Sequence, residues 1–244
     1  MQPGVRYTLP MKSVDSSQRR RPVRSYVIRG GRLTTGQQRA LDELYPRRGI
    51  PDGDGPLEFD GLFGRKADRI LEIGFGNGES TWRMAQAEPD LDFIGVEVHP
   101  PGVGRLLLAL EAEGVDNVRV WLGDAVDFLE RRIPEASLAG IRIYFPDPWH
   151  KKRHHKRRLI QPDFVALLAS RLAPGGLLHL ATDWVPYAEH MLDVLEAEPA
   201  FVNRSPGGDF CPKPDWRPYT KYEARGDRLG HETRDLIFER TAEP

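Results

Sequence analysis

Along this chain, short apolar runs alternate with longer stretches whose apolar side chains recur every three or four positions. The short runs predict strands over 69–75, 92–98, 117–122, 140–145 and 177–182. Helical spacing fills the gaps at 80–87, 102–113, 125–132 and 161–172. Strand and helix in regular alternation imply an α/β class with a doubly wound, mostly parallel sheet covered on both faces. Two further strand-like runs, near 201–204 and 235–241, bring the expected sheet to seven strands, the last a candidate for antiparallel pairing. Pro51-Asp52-Gly53-Asp54-Gly55-Pro56 is a turn-rich linker, so the compact domain is expected over 57–244. Before it, 1–50 reads as a basic N-terminal arm; 1–30 has little periodicity and is expected to be flexible.

Composition narrows the class. A chain of 244 residues, 39% hydrophobic, is long enough to bury one α/β core without staples. Its one cysteine, Cys211, excludes an internal disulfide and fits a reducing, cytoplasmic setting. The opening MQPGVRYTLP has no apolar h-region, and no apolar run reaches the length of a membrane span, so neither export nor a membrane is expected. The net charge of −1 conceals an asymmetry: residues 1–48 hold eleven Lys/Arg against three acids, so the remainder is acidic. That distribution suits a basic arm reaching a polyanion, although a solvated tail has the same composition.

The first expected strand runs into Gly74-Phe75-Gly76-Asn77-Gly78. Three glycines between a strand and a helix let the backbone turn sharply and approach a ligand. Their G-x-G-x-G spacing departs from the dinucleotide G-x-G-x-x-G, and Glu72 and Glu79 flank the loop, so a pyrophosphate would be poorly received. Acids recur at the ends of the next strands: Glu97, Asp124 and Asp147. Open α/β sheets bind ligands beyond the carboxyl ends of their strands. A series of carboxylates there suits a ligand with ammonium and sulfonium charges, S-adenosylmethionine (SAM), over NAD. Glu97 is placed for ribose hydroxyls and Asp124 for an adenine amino group.

Asp147 sits in Phe145-Pro146-Asp147-Pro148-Trp149-His150, where two prolines stiffen the turn. Six cations follow within residues 151–158: Lys151, Lys152, Arg153, Lys156, Arg157 and Arg158, interrupted by His154 and His155. Such a run beside a base-chemistry site favours nucleic acid over a merely solvated face. His150 and His154 have i, i+4 spacing, but the surrounding cations oppose a divalent ion and no metal is expected. Further on, Asp183 follows the fifth strand, and Thr220, Lys221, Tyr222 and Glu223 offer a hydroxyl, a cation, a ring and an acceptor suited to a base edge and a phosphate.

These stretches resemble the bacterial tRNA (guanine-N7)-methyltransferase family. The likeness runs from about Ile70 to Arg240 through LEIGFGNG, GVEVHPPGVG, FPDPWHKKRHHKRR, ATDWVPYAEHML and TKYEARGDRLGH, and RSYVIRGGRLTTGQQRAL in the arm is also similar. Tyr222 stands where the family usually has Phe and keeps the ring. The resemblance implies a Rossmann-like SAM methyltransferase fold and methyl transfer from SAM to N7 of guanine 46 in the tRNA variable loop, leaving S-adenosylhomocysteine. It implies that Glu72, Glu97, Asp124 and Asp147 hold the cofactor beside Gly74, Gly76 and Gly78, with Asp147 also catalytic. It further implies that Lys151, Asp183 and Thr220 to Glu223 meet the substrate, while Arg153, His154, His155, Lys156, Arg157 and Arg158 contact RNA. No obligate protein partner is implied; the protein is expected as a monomer or homodimer. Rival readings are a SAM enzyme acting on another RNA or on protein, an NAD oxidoreductase, and an RNA-binding chaperone without turnover.

Overall fold

A computed structural model describes residues 25–26 and 32–242. In chain order the helices are α1 (Thr35–Glu43), α2 (Tyr45–Arg48), α3 (Phe59–Phe63), α4 (Glu79–Ala87), α5 (Pro100–Glu113), α6 (Ala125–Arg132), α7 (Pro162–Arg171), α8 (Val185–Glu196) and α9 (Lys221–Arg228). The strands are β1 (Arg69–Ile73), β2 (Asp92–Glu97), β3 (Val118–Leu122), β4 (Leu138–Tyr144), β5 (Leu172–Thr182), β6 (Phe201–Asn203) and β7 (Arg234–Arg240). They form one sheet in the order β3-β2-β1-β4-β5-β7-β6. β1 to β5 pair in parallel; β7 pairs antiparallel with both β5 and β6. The chain winds outward from β1 to β3 and returns to β4 on the other side. This reversal opens a crevice beyond the carboxyl ends of β1 and β4, where α/β sheets bind their ligands.

The alternation of strand side chains divides the core into two layers. Ile70 and Phe93 face α1, α4 and α5, packing with Leu41, Met84, Leu106 and Leu110. Their neighbours Leu71 and Ile94 face α6, α7 and α8, with Phe128, Leu168 and Met191. Every residue of β2 is buried, and between Asp92 and Glu97 this interior strand is an unbroken apolar run, Phe93 to Val96. Helix starts follow local chemistry. Asp124 caps α6 by accepting from the Val126 and Asp127 N–H groups at 2.8 and 3.2 Å. Thr34 and Gln37 form a capping box on α1, and prolines occupy the first turns of α5, α7 and α8.

The expected strands and helices are present with boundaries shifted by a few residues. β5 begins earlier than expected because Leu172 pairs with Leu138 before the register slips to Leu177 opposite Gly140. Helices α8 and α9 carry no expectation from the periodicity. Within the segment read as an arm, residues 35–50 are folded: Ala40 and Leu41 are buried against α5, and the Ile50 N–H donates to the Val120 carbonyl at 2.8 Å. Most of the arm's cations lie in 1–24 and 27–31, outside the described residues. Among the described residues, no helix is long and apolar enough to cross a membrane.

The close approach of α5 to the glycine loop fixes the floor of the crevice. A Cβ on Gly102 would stand 2.1 Å from the Gly76 carbonyl oxygen. In an unconstrained helix, alanine is favoured over glycine by roughly 0.5–1 kcal/mol. Gly102→Ala is instead expected to destabilise the fold by about 1–3 kcal/mol, the cost of overpacking. A urea midpoint equal to or above that of the parent would contradict this contact.

Candidate active site

The crevice holds a cavity of about 370 Å³ lined by Gly74 from the loop after β1, Glu97 to His99 after β2, Gly123 to Val126 after β3, and Tyr144 to Asp147 after β4. Ser25 and Tyr26 complete one wall. Gly74, Gly76 and Gly78 all adopt positive φ (74°, 59° and 75°), which explains three glycines in five positions. The loop N–H groups turn inward: Gly76 donates to Glu97 Oε2 at 2.8 Å, while Val98 and His99 donate to Glu97 Oε1 at 2.7 and 3.0 Å. Asp124 uses Oδ1 to cap α6. Gly74, Glu97, Asp124 and Asp147 are thus brought together on one cavity.

Glu72, Gly76 and Gly78 do not line it. Glu72 is buried beneath the loop and accepts from the Ser80 and Thr81 hydroxyls at 2.5 and 2.6 Å. Burial pushes its carboxyl up against those two bonds and the Arg142 charge. Side chains alternate along β1, so Glu72, expected to hold the cofactor, points into the layer under α4. Gly78 begins α4, packed so closely that a Cβ would lie 2.6 Å from Leu106.

The Asp147 turn is stiff. Phe145 and Trp149, on either side of Pro146-Asp147-Pro148, both have left-handed φ (51° and 47°). Trp149 Nε1 donates to the Ser25 carbonyl at 3.0 Å, and the Arg157 guanidinium lies 4.0 Å from the Trp149 ring centre. Tyr222, more than half exposed, sets its ring 5.0 Å from that of Phe145. Its hydroxyl is pushed up by partial burial and then by the charges of Asp183 and Asp147. Asp183 Oδ2 lies 3.2 Å from His231 Nδ1.

Residues 152–157 form a 3₁₀ turn on the same rim. Lys151, Lys152, Arg153 and Lys156 are exposed. His154 is held below its ordinary value by desolvation and by the cations Arg153, Arg157, Lys151 and Lys156. Arg158 departs from the expectation of an RNA contact. It is buried, donates to the Pro148 and Pro186 carbonyls at 3.0 and 3.4 Å, approaches His155 Nε2 at 3.3 Å, and lies over the Tyr187 ring. Its guanidinium ties the Asp147 turn to α8.

The rim of α9 is likewise divided. Thr220 caps the helix, accepting from the Glu223 N–H at 3.3 Å. The Lys221 N–H donates to Glu79 Oε2 at 3.1 Å, and Arg83 donates to the Tyr219 carbonyl at 3.3 Å, joining α9 to α4. Glu223, expected at the substrate, instead faces inward and accepts from Arg217 with both oxygens, at 2.9 and 2.8 Å.

Residues 66–236 match the protein family described as "Putative methyltransferase". A tRNA (guanine-N(7)-)-methyltransferase of Alcanivorax borkumensis is 55% identical, over 91% of this chain and 93% of its own. That of Alkalilimnicola ehrlichii is 53% identical over 96% and 99%. The chain belongs to the tRNA (guanine-N7)-methyltransferase family. A crystal structure of the 16S rRNA methyltransferase KamB, 16% identical, superposes with a TM-score of 0.55 over 75% of this chain and 93% of that one, a likeness of fold.

Beside the cavity, this methyltransferase carries a buried polar network that sequence reasoning missed. Arg217, 2% exposed, donates Nε and Nη2 to the two oxygens of Asp235 at 2.6 and 2.9 Å while gripping Glu223. His179 Nε2 faces Asp235 Oδ1 at 2.7 Å, and Trp216 Nε1 and the Tyr144 hydroxyl approach His179 Nδ1 at 3.1 and 2.9 Å. An indole N–H only donates, so Nδ1 accepts and the Nε2–H goes to Asp235. A hint in the sequence was His179 interrupting the apolar run of β5.

Burial holds His179 below the ordinary value of 6.5, outweighing the pull of Asp235. The unfolded chain therefore takes up this proton first, and stability is lost as pH falls below about 6.5. Desolvation pushes the Asp235 carboxyl up, but the hydrogen bonds and charges of His179 and Arg217 outweigh it and hold it below 3.8, so it contributes stability above that value that is lost as pH falls from there toward the lowered folded-state value. His179→Gln is expected to flatten the fall in melting temperature between pH 7 and 5. An unaltered slope would assign that fall to other groups.

Proposed function

We infer that this methyltransferase transfers a methyl group from SAM to N7 of guanine in tRNA, with the variable-loop guanine 46 as its target and the cytoplasm as its setting. The observation that carries this reading is the position of Asp147. It lines the cofactor-sized cavity and, in the same turn, adjoins the Phe145–Tyr222 ring pair and the exposed cations after Trp149.

The residues present fit the cofactor. Glu97 and Asp124 accept from N–H donors, and among the described residues no cation is paired to either, so they remain available to cationic and hydroxyl-bearing groups. Glu97 suits the ribose hydroxyls, Asp124 the adenine amino group through Oδ2, and Gly74 the close passage of the backbone. SAM, when bound, supplies a methyl group on a sulfonium. Guanine N7 presents an in-plane lone pair and no proton, so the protein needs no general base. What remains is positioning, which alone accelerates such a reaction greatly. Tyr222 offers its ring to the face of the base, and Asp147 or Asp183 accepts from guanine N1–H and the exocyclic amine. Those bonds strengthen as positive charge builds on the base, so they act most in the transition state. Lys151, Lys152, Arg153 and Lys156 neutralise phosphates, offsetting the few kcal/mol needed to draw a paired base from its stack.

Labelled methyl from SAM is expected to enter an unmodified tRNA transcript and to be lost when its variable-loop guanine is replaced by adenine. Asp147→Asn should lower kcat by about 10²-fold with SAM binding retained, the scale of losing one electrostatic contact. Full kcat in that variant would remove Asp147 from the chemistry.

The cations of the rim separate by role. Lys156→Ala should reduce the salt dependence of tRNA binding by about one unit of slope without altering the melting temperature. Arg158→Ala should lower the melting temperature instead, because its partners are backbone carbonyls in the protein. Equal effects of the two on the salt slope would contradict that division.

A further inference from the structure

Helix α9 presents Lys221 and Tyr222 to the rim of the site, yet it has no apolar face to dock it: Glu223 is the only fully buried residue of its eight. Arg217 holds that carboxylate by two parallel bonds and Asp235 of β7 by two more, so one guanidinium joins the helix to the sheet. The same guanidinium lies 5.9 Å from the Phe145 ring centre, and that ring in turn meets Tyr222. We propose that Arg217 is a positioning residue of this methyltransferase, setting the rotation of α9 so that Tyr222 stands over the Asp147 turn.

Two features argue for geometry over mere cohesion. A planar fork holding two carboxylates bidentately fixes the angle between them, which an ammonium at the same place does not. Two other ties, from Glu79 to the Lys221 N–H and from Arg83 to the Tyr219 carbonyl, hold the start of α9 to α4, and the bond from the Tyr219 hydroxyl to Asp227 stays within the α9 segment itself, so none of the three sets the rotation of the helix against the sheet as the fork does. Glu223 lies on the inner side of that turn, directly after Tyr222. A roll of the helix therefore carries Tyr222 off Phe145. Asp235 keeps the His179 Nε2–H as a second partner, whereas Glu223 has no side-chain partner but Arg217 among the hydrogen bonds described, so loosening the fork releases the helix before the sheet.

This rests on the reading of Tyr222 as the surface that meets the base, and the test separates the two. Arg217→Lys, Tyr222→Ala and the double variant are compared for tRNA KM and kcat, for S-adenosylhomocysteine affinity by calorimetry, and for melting temperature. Arg217→Lys is expected to raise tRNA KM at least tenfold while S-adenosylhomocysteine affinity changes less than twofold. The double variant should be no worse than Tyr222→Ala alone, because both act through one ring. Additive losses, an unchanged KM in the lysine variant, or an equal loss of S-adenosylhomocysteine affinity would overturn the proposal. If Tyr222→Ala itself leaves tRNA kinetics intact, the reading of the substrate face fails and the proposal falls with it. Should Arg217→Lys not fold, Glu223→Gln replaces it in the same cycle with the same expectations.

Discussion

A parallel sheet gathers the carboxyl ends of its strands along one edge, and here the ends of β2 and β3 carry acids, Glu97 and Asp124, whose oxygens are satisfied with no cation paired to either among the described residues. The protein does this with dipoles. Glu97 is held by three backbone N–H groups and Asp124 by two from the first turn of α6. Glu72, deeper, is held by two hydroxyls, with Arg142 acting only from a distance. Donors without net charge satisfy the oxygens and leave the negative potential of the edge intact. A lysine or arginine in the same place would satisfy them equally and abolish the attraction for a cationic ligand.

Across the Asp147 turn the opposite solution is used. Glu223 and Asp235 are buried, and both accept charge-assisted hydrogen bonds from the one guanidinium of Arg217. Those carboxylates are struts: their oxygens are taken up in joining helix to sheet and face away from any ligand. The same residue type thus serves recognition on one side of the turn and architecture on the other, and the partner decides which.

That distinction also sets how far the sequence could be read. Strands β1 to β5 were legible because doubly covered parallel strands are near-continuous apolar runs, and the acids that interrupt them mark their ends. Helix α9 was not: Lys221-Tyr222-Glu223-Ala224-Arg225-Gly226-Asp227-Arg228 has no apolar stripe, and its docking depends on Arg217. Arg158 and Glu223 were assigned to the substrate because a charge inside a polar run looks solvated; only tertiary contacts reveal that each faces inward. Glu72 was placed in the right loop, but its direction depends on the strand alternation that turns it under α4. The helices of residues 35–48 escaped notice because their buried contacts, Ala40 and Leu41, are few and rely on α5 to give them a surface.

The turn between Phe145 and Trp149 carries a different kind of consequence. Two side-chain-bearing residues hold a backbone conformation that glycine would adopt without strain, at a cost of order 1–3 kcal/mol each. Glycine at either position would relax the chain and delete a ring: Phe145 is the contact between Arg217 and Tyr222, and Trp149 supports Arg157 and binds the Ser25 carbonyl. The loop therefore keeps its strain for the sake of the two rings, and any relief of the backbone there would be taken out of the rim that meets the substrate.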